Sequence, residues 1–331
     1  MAVSGRNEDW AFVSGLVAAR EGHMLPAAFF AQVLTESGPD GILARLGETI
    51  LRDRLREAAD LRRLDRRVAE CQRDCLEEFR SICPSPEIPD LLELPRHFVS
   101  FKNFVKRTEM KLDAQDALPS RYADEVWERL WAGLKTGLPG CFQEAAERAR
   151  PALQSAPKRP EALDAAVDAV ALSALCEEAE HCGPFVAEHF RRCDTVRGVE
   201  ILWRARLLGL DEGVVDLIAA GRREAGLFRT LRQSEEQDWP DVLREAMPEL
   251  PAGVSSAAEG TARVRAFARA ADEWLMAHAR TARRAAFGPE RVFGYLVGLG
   301  AELYNLEVAA GGRVGGIAAE ELAPRLRACY V

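Results

Sequence analysis

The chain has 331 residues, of which 48% are hydrophobic and 29% charged, a composition typical of a globular protein. Its formal net charge of -8 argues against a nucleic-acid partner, because a phosphate-binding surface needs an excess of Lys and Arg. No run of eighteen or more apolar residues occurs, so we expect no transmembrane segment. The acidic amino terminus lacks the apolar stretch of a signal peptide, which predicts a cytoplasmic location.

The first hundred residues have helical periodicity. We expect a helix over Trp10–Arg20, a turn at Met24–Pro26 and a second helix that begins with Phe29–Leu34. The clearest helix is expected over Leu51–Ile82, because apolar residues recur there every three or four positions opposite a charged face. The prolines of Pro84–Pro95 predict that this helix is followed by a break.

The pattern of helix, Leu-containing turn and helix seen in the first residues returns later in the chain. It recurs at Val199–Ile218 and more weakly at Phe101–Trp131, where Leu118 and Pro119 precede the second helix. This spacing predicts a threefold internal repeat, although amphipathic helices can also resemble one another by chance. We therefore divide the chain into three similar helical domains, comprising residues 1–95, 96–195 and 196–331. Ala149–Pro160 and Pro248–Gly260 are expected to be a linker and a loop.

The eight cysteines are expected to be free thiols in a chain of this length. One group has the residue types of a zinc site but lacks the usual short ligand spacing, and it spans a helix, a Gly-Pro break and another helix. We predict no metal and no cofactor, with metal binding by this group as the alternative. The group consists of Cys176, His181, Cys182, His189 and Cys193.

No HExxH, Gly-x-Ser-x-Gly or phosphate-loop motif occurs in the sequence, so we predict no catalytic residues. A helix rich in arginine is either a solvated face or a surface for an acidic partner. Its arginines are Arg263, Arg265, Arg269, Arg280, Arg283 and Arg284.

Residues 287–331 form the most informative segment. A Gly-Pro start predicts an apolar helix, followed by a glycine-rich break at residues 311–316 and a short helix with an acidic start that ends the chain. Glu302 and Asn305 share one face of the apolar helix, which favours structural or partner contacts over catalysis. Arg313 either caps a helix or lies exposed on a docking loop. The candidate interface residues are Tyr295, Glu302, Asn305 and Arg313.

The order of residues in this segment resembles the C subunit of the A/V-type rotary ATPases, which in eukaryotes is the d subunit. The matching residues are Gly294, Tyr295, Leu296, Glu302, Asn305, Leu306, Gly312, Arg313 and Gly316. Leu202–Gly209 also resembles the repeat signature of that family. The chain departs from the family pattern at Leu299, Gly300, Tyr304 and Glu307.

The resemblance implies an all-α fold in which three similar helical domains form a funnel in a pseudo-threefold arrangement. It implies a non-catalytic central-stalk adaptor, peripheral on the cytoplasmic side of the membrane. Such an adaptor links the rotor shaft subunits D and F to the membrane proteolipid ring, and so couples proton or sodium transport to ATP hydrolysis or synthesis. The alternative is an unrelated all-helical protein-interaction scaffold, distinguished by an open superhelix instead of a closed threefold arrangement.

Overall fold

The computed structural model describes residues 7–55, 57–113, 120–155, 159–208, 225–248 and 260–331. Every regular element within these ranges is helical, which confirms the all-α prediction. The described contacts divide the chain into two compact units. Unit 1 contains Met1–Asp90 and Leu275–Val331, and unit 2 contains Leu91–Trp274. The threefold division and the funnel remain predictions.

Unit 1 joins helices from the two ends of the chain. Its carboxy-terminal helix, Pro289–Leu306, packs against both the first helix and the long charged helix of the amino-terminal part. The amino-terminal helices are α1 (Asn7–Glu21), α2 (Ala27–Thr35), α3 (Gly38–Leu46) and α4 (Leu64–Ile82).

The remaining helices lie in unit 2 or cross the unit boundary. In chain order they are α5 (Glu87–Thr108), α6 (Asp124–Trp131), α7 (Gly140–Ser155), α8 (Pro160–His181), α9 (Pro184–Leu208), α10 (Ala225–Gln233), α11 (Trp239–Ala246) and α12 (Gly260–Thr281). The carboxy-terminal helix of unit 1, Pro289–Leu306, is α13. α7 packs on α8, and α8 on α9, through faces rich in buried alanine and valine. The predicted break at Gly183 and Pro184 is confirmed, since α8 ends before it and Gly183 has a φ of 111°.

The prediction of one helix over Leu51–Ile82 was wrong. Its first part forms two short 3-10 turns, and the α-helix begins only at Leu64. The physical reason is a capping box: the Glu57 side chain accepts from the start of the second turn, and Asp60 accepts from the Glu57 backbone N–H. Most of the apolar stripe is nevertheless buried as expected, and Ile82 at its end is half-buried.

The prolines interrupt the helices less than expected. Pro95 lies inside α5 and Pro151 inside α7, so most of the predicted break at Pro84–Pro95 and of the predicted linker at Ala149–Pro160 is helical. Proline costs a helix interior about 3 kcal/mol, but both helices bury apolar side chains close to it, such as Phe98 and Ala149. Packing therefore outweighs the local preference.

Several sequence predictions lie outside the described residues. These are the turn at Leu118 and Pro119, the helix expected at Val214–Ile218 with the turn before it, and the greater part of the Pro248–Gly260 loop. The helices expected around Phe101 and Trp127 are confirmed as parts of α5 and α6.

The carboxy-terminal segment begins as predicted but ends differently. α13 starts at Pro289, and a π-helical turn over Glu307–Gly311 continues it into a helical turn at Gly312–Val314. The chain leaves the helix only at Gly316, whose φ of 79° allows a Schellman ending. In that ending the Ile317 N–H donates to the Gly312 carbonyl at 2.9 Å.

Of the break expected at residues 311–316, only the last two glycines, Gly315 and Gly316, therefore lie outside the helix. The short helix with an acidic start is present at Ala319–Leu322, but it does not end the chain. The C-terminal tail, Leu326–Val331, follows it without regular secondary structure.

Candidate functional site

A cleft of about 520 Å³ lies within unit 1. Its walls come from α1 and the turn after it, from the segment between α3 and α4, from α4 and from α13. Two of the candidate interface residues, Tyr295 and Glu302, line it together with Leu299. α13 brings these three side chains to one face because they are spaced by three and four residues.

Two arginines on the walls are held by carboxylates. The Arg20 guanidinium donates two hydrogen bonds to Glu78, at 3.0 and 2.6 Å, and this hydrogen bonding raises the pKa of Arg20. Arg54 donates to Asp74 at 2.7 Å. Both cations in the cleft are thus already paired.

Glu302 is in a different situation. Its side chain carries a single hydrogen bond, accepted by Oε2 from the Leu25 backbone N–H at 2.8 Å, and the residue is only 7% exposed. None of the described cationic side chains forms an ion pair with it. Burial raises the pKa of Glu302 to about 7, against the opposing effect of the Leu25 hydrogen bond. Glu302 is therefore a buried carboxyl that can change its charge near neutral pH.

Tyr295 is anchored by packing. Its ring lies 5.5 Å from that of Phe79, and the Arg20 guanidinium lies 5.5 Å from the same Phe79 ring. Burial raises the pKa of the Tyr295 hydroxyl, and the nearby Arg20 charge opposes that rise. The hydroxyl thus stays protonated at neutral pH.

Asn305 faces the C-terminal tail. It is fully buried, and its side chain pairs with both backbone groups of Arg327: Nδ2 donates to the carbonyl at 3.0 Å, and Oδ1 accepts from the N–H at 2.7 Å. The Arg327 guanidinium in turn lies 4.0 Å from the centre of the Tyr304 ring. Tyr304, one of the departures from the family pattern, therefore helps to hold the tail.

The tail inserts Tyr330 into a groove on α13. A Cβ added to Gly298 would lie 2.4 Å from Tyr330 Cγ, so only glycine leaves room for the ring. The Tyr330 hydroxyl donates to Glu21 Oε1 at 3.0 Å, and the other Glu21 oxygen accepts from Arg291. The two ends of the chain are thus joined through one buried carboxylate.

Arg313 belongs to a helical turn and is half-buried. It donates to the Ile317 carbonyl at 3.1 Å and to the Glu36 carbonyl at 3.3 Å. These contacts correspond to the helix-capping alternative, and the residue does not lie on an exposed loop. The structure thus gives Asn305 and Arg313 internal backbone partners, places Tyr295 and Glu302 together in the cleft, and leaves their interface role a prediction.

The arginine-rich helix divides into buried and exposed members. Arg263 is 6% exposed and pairs with Glu236 at 3.3 Å, and Arg280 donates to the Cys329 carbonyl. Arg283 and Arg284, which follow α12, are exposed. Only part of this set is therefore available to an acidic partner.

The cysteine and histidine group in unit 2 is dispersed. Cys182 is buried, whereas His181 is exposed and pairs with Glu178 at 3.6 Å. Within the part of the chain that the structure describes, no three His, Cys, Asp or Glu side chains are grouped so as to hold a metal ion.

Sequence reasoning missed a buried row of polar groups in unit 2. Ser120 Oγ lies 2.8 Å from His97 Nδ1, and His97 Nε2 lies 3.5 Å from Glu93. These are the residue types of a nucleophile relay, but all three are at most 9% exposed, and Ser120 Oγ also accepts from the Tyr122 N–H. Because Ser120 is buried, we assign this row a structural role, in which it connects α5 to the residues that precede α6.

The cleft and the tail groove were also missed, because their residues come from distant segments. The one available signal for the groove was the pair Gly294 and Gly298, four apart on an otherwise apolar helix.

None of the described helices is sufficiently long and apolar to cross a lipid bilayer.

The fold and this site define an all-helical protein whose polar residues on the last helix mainly bind the protein's own chain. A family model described as the ATP synthase (C/AC39) subunit matches residues 13–325. The chain belongs to this family, and its role is that of a V/A-type ATPase subunit. The alternative of an unrelated scaffold is thereby set aside. A search of curated proteins found no match.

Proposed function

We propose that this protein is the central-stalk adaptor of a V/A-type rotary ATPase. In this role it links the rotor shaft subunits D and F to the membrane proteolipid ring, on the cytoplasmic side. Rotation would then couple ATP hydrolysis or synthesis to proton or sodium transport. The observation that carries the proposal is the family match, which spans residues 13–325 and includes most of the carboxy-terminal segment.

A torque-transmitting subunit must resist deformation. Close-packed helical interiors have low compressibility and transmit strain. In unit 1, the tail adds fixed points: Asn305 holds the Arg327 backbone, and Tyr330 reaches Glu21. These contacts join the last residues to the first helix and support a stiff, non-catalytic role.

Partner contacts need groups on the surface. Tyr295, Glu302 and Asn305 are buried, so we propose that they shape the docking surface from within. Arg283 and Arg284 are exposed near the start of α13 and would attract an acidic partner surface.

The decisive experiment is reconstitution. The tagged chain is mixed with subunits D and F and with detergent-solubilised proteolipid ring, and the composition of the purified complex and ATP-driven ion movement are measured. We expect both to require the chain. A complex that assembles and moves ions equally well without it would refute the proposal.

A charge-reversal pair tests the surface. Arg284→Glu should weaken assembly and make it more sensitive to salt, whereas Arg229→Glu carries the same charge change on an exposed position of unit 2 and is the matched control. Equal effects of the two variants would remove the assigned role of Arg284 without affecting the adaptor proposal itself.

A further inference from the structure

The cleft in unit 1 has more negative than positive charge. Its lining includes the carboxylates of Glu48, Asp74, Glu78 and Glu302 but only two guanidiniums, Arg20 and Arg54. Each guanidinium is paired with one carboxylate, as described above. None of the described cations pairs with Glu302, which is only 7% exposed, whereas Glu48 is exposed and its charge acts on Arg45.

An uncompensated buried carboxylate is costly, and a cation brought to it removes much of that cost. Glu302 lines the cleft, and its Oε2 accepts the Leu25 N–H, so Oε1 is the carboxylate oxygen left to accept from a ligand. The cleft therefore contains an acceptor of the kind that an ammonium or guanidinium group binds most strongly.

The rest of the lining is suited to a short apolar stem. Met24 and Leu299 are buried in the wall, and Ile50 is 40% exposed at the cleft. The volume of about 520 Å³ is within the range of small-ligand sites. A cationic head on an alkyl chain would place its charge beside Glu302 and its methylene groups against these side chains.

We propose that the cleft binds an alkyl cation, an ammonium or guanidinium group on a short apolar stem, with the head paired to Glu302. The source of the cation is either a free amine or guanidine, or a Lys or Arg side chain of another protein. This site goes beyond the adaptor role, and it can be tested on the isolated chain.

Binding should depend on pH, because only the ionised carboxylate attracts the cation. With the pKa of Glu302 at about 7, its ionised fraction rises from about one-tenth at pH 6 to about nine-tenths at pH 8, so affinity should rise about tenfold. The groups that face Glu302 or line the same cleft are Arg20, His23, Glu48, Arg54, Cys71, Asp74, Cys75, Glu78 and Tyr295, with Cys329 on the tail.

The experiment is calorimetric titration of the full chain with n-butylguanidinium and n-butylammonium at pH 6 and pH 8. We expect saturable binding, an affinity about tenfold higher at pH 8, and release of about half a proton per bound cation at pH 7, seen as a dependence of the heat on the buffer. n-Butanol, which has the stem without the charge, should bind at least tenfold more weakly. A peptide containing one arginine between alanines tests the protein side-chain source.

The matched variants are Glu302→Gln and Glu307→Gln. Glu307 is exposed, lies just beyond the end of α13 and does not line the cleft, so its variant should bind like the original chain. Glu302→Gln should lose about tenfold in affinity and all of the pH dependence. If Glu302→Gln does not fold, the inference is tested by the proton release of the unmodified chain alone. Binding without proton release, equal binding of n-butanol, or no saturable binding would overturn the inference.

Discussion

The replacement of Glu302 by glutamine should change how stability depends on pH. In the folded chain the pKa of Glu302 is raised from 4.5 to about 7, mainly by burial. A raised pKa means that the folded state binds the proton more tightly than the unfolded state. The stabilisation that this bound proton gives the folded state is fully present below pH 4.5, and it is lost as the pH rises through about 7.

The magnitude follows from the size of the shift. One pKa unit corresponds to about 1.4 kcal/mol, so ionising Glu302 in the folded chain costs about 3 kcal/mol once the pH is well above 7. Between pH 5 and pH 8 the loss is about 2.5 kcal/mol. Glutamine keeps an acceptor for the Leu25 N–H but cannot ionise, and its variant should lack this loss.

The assay is urea unfolding, followed by circular dichroism at pH 5, 6, 7 and 8, for the original chain, Glu302→Gln and the control Glu307→Gln. Glu302→Gln should gain about 2.5 kcal/mol relative to the original chain between pH 5 and pH 8. Glu307→Gln should show a smaller gain, because that residue is exposed. Parallel stability curves for the original chain and Glu302→Gln would show that the carboxyl is not the buried titrating group.

Three further substitutions test the tail groove. Gly298→Ala would place its Cβ 2.4 Å from the Tyr330 ring and should cost about 1–3 kcal/mol in urea unfolding. The control Gly300→Ala, whose nearest neighbour is 3.7 Å away, should stabilise α13 by about 0.5–1 kcal/mol. Equal effects of the two variants would contradict the groove. Tyr330→Phe removes only the hydrogen bond to Glu21 and should cost about 1–3 kcal/mol, so an unchanged unfolding midpoint would argue against that bond. Asn305→Ala leaves two tail backbone groups unpaired, and carboxypeptidase should then remove the last residues faster, an outcome not expected if the tail is held elsewhere.

Helical periodicity predicted most of the fold, because burial of an apolar stripe leaves a direct record in the sequence. α1 and α2 contain the residues whose spacing indicated them, α4 contains those of its stripe from Leu64 onward, and α13 begins at the expected Gly-Pro pair. The misplaced boundary at Leu64 depended on a local competition, in which Glu57 and Asp60 satisfy backbone groups that a continuous helix would have used.

The site could be predicted only in part. Glu302 and Asn305 stood out as polar residues on an apolar helix, but their partners, the backbones of Leu25 and Arg327, carry no side-chain signal. Gly298 likewise has a role only because Tyr330 returns to it from the chain end. Such contacts join positions far apart in sequence, which no local pattern records.

The joining of the two chain ends in unit 1 has a consequence for biosynthesis. On the ribosome, Met1–Asp90 is made before unit 2, whereas its partner helix α13 and the tail are made after unit 2. The face of α4 that packs on α13 therefore stays uncovered until α13 has been made, while unit 2 already has its whole sequence available. A chain truncated before Pro289 would leave that face exposed, so we expect such truncated chains to be bound by chaperones and degraded.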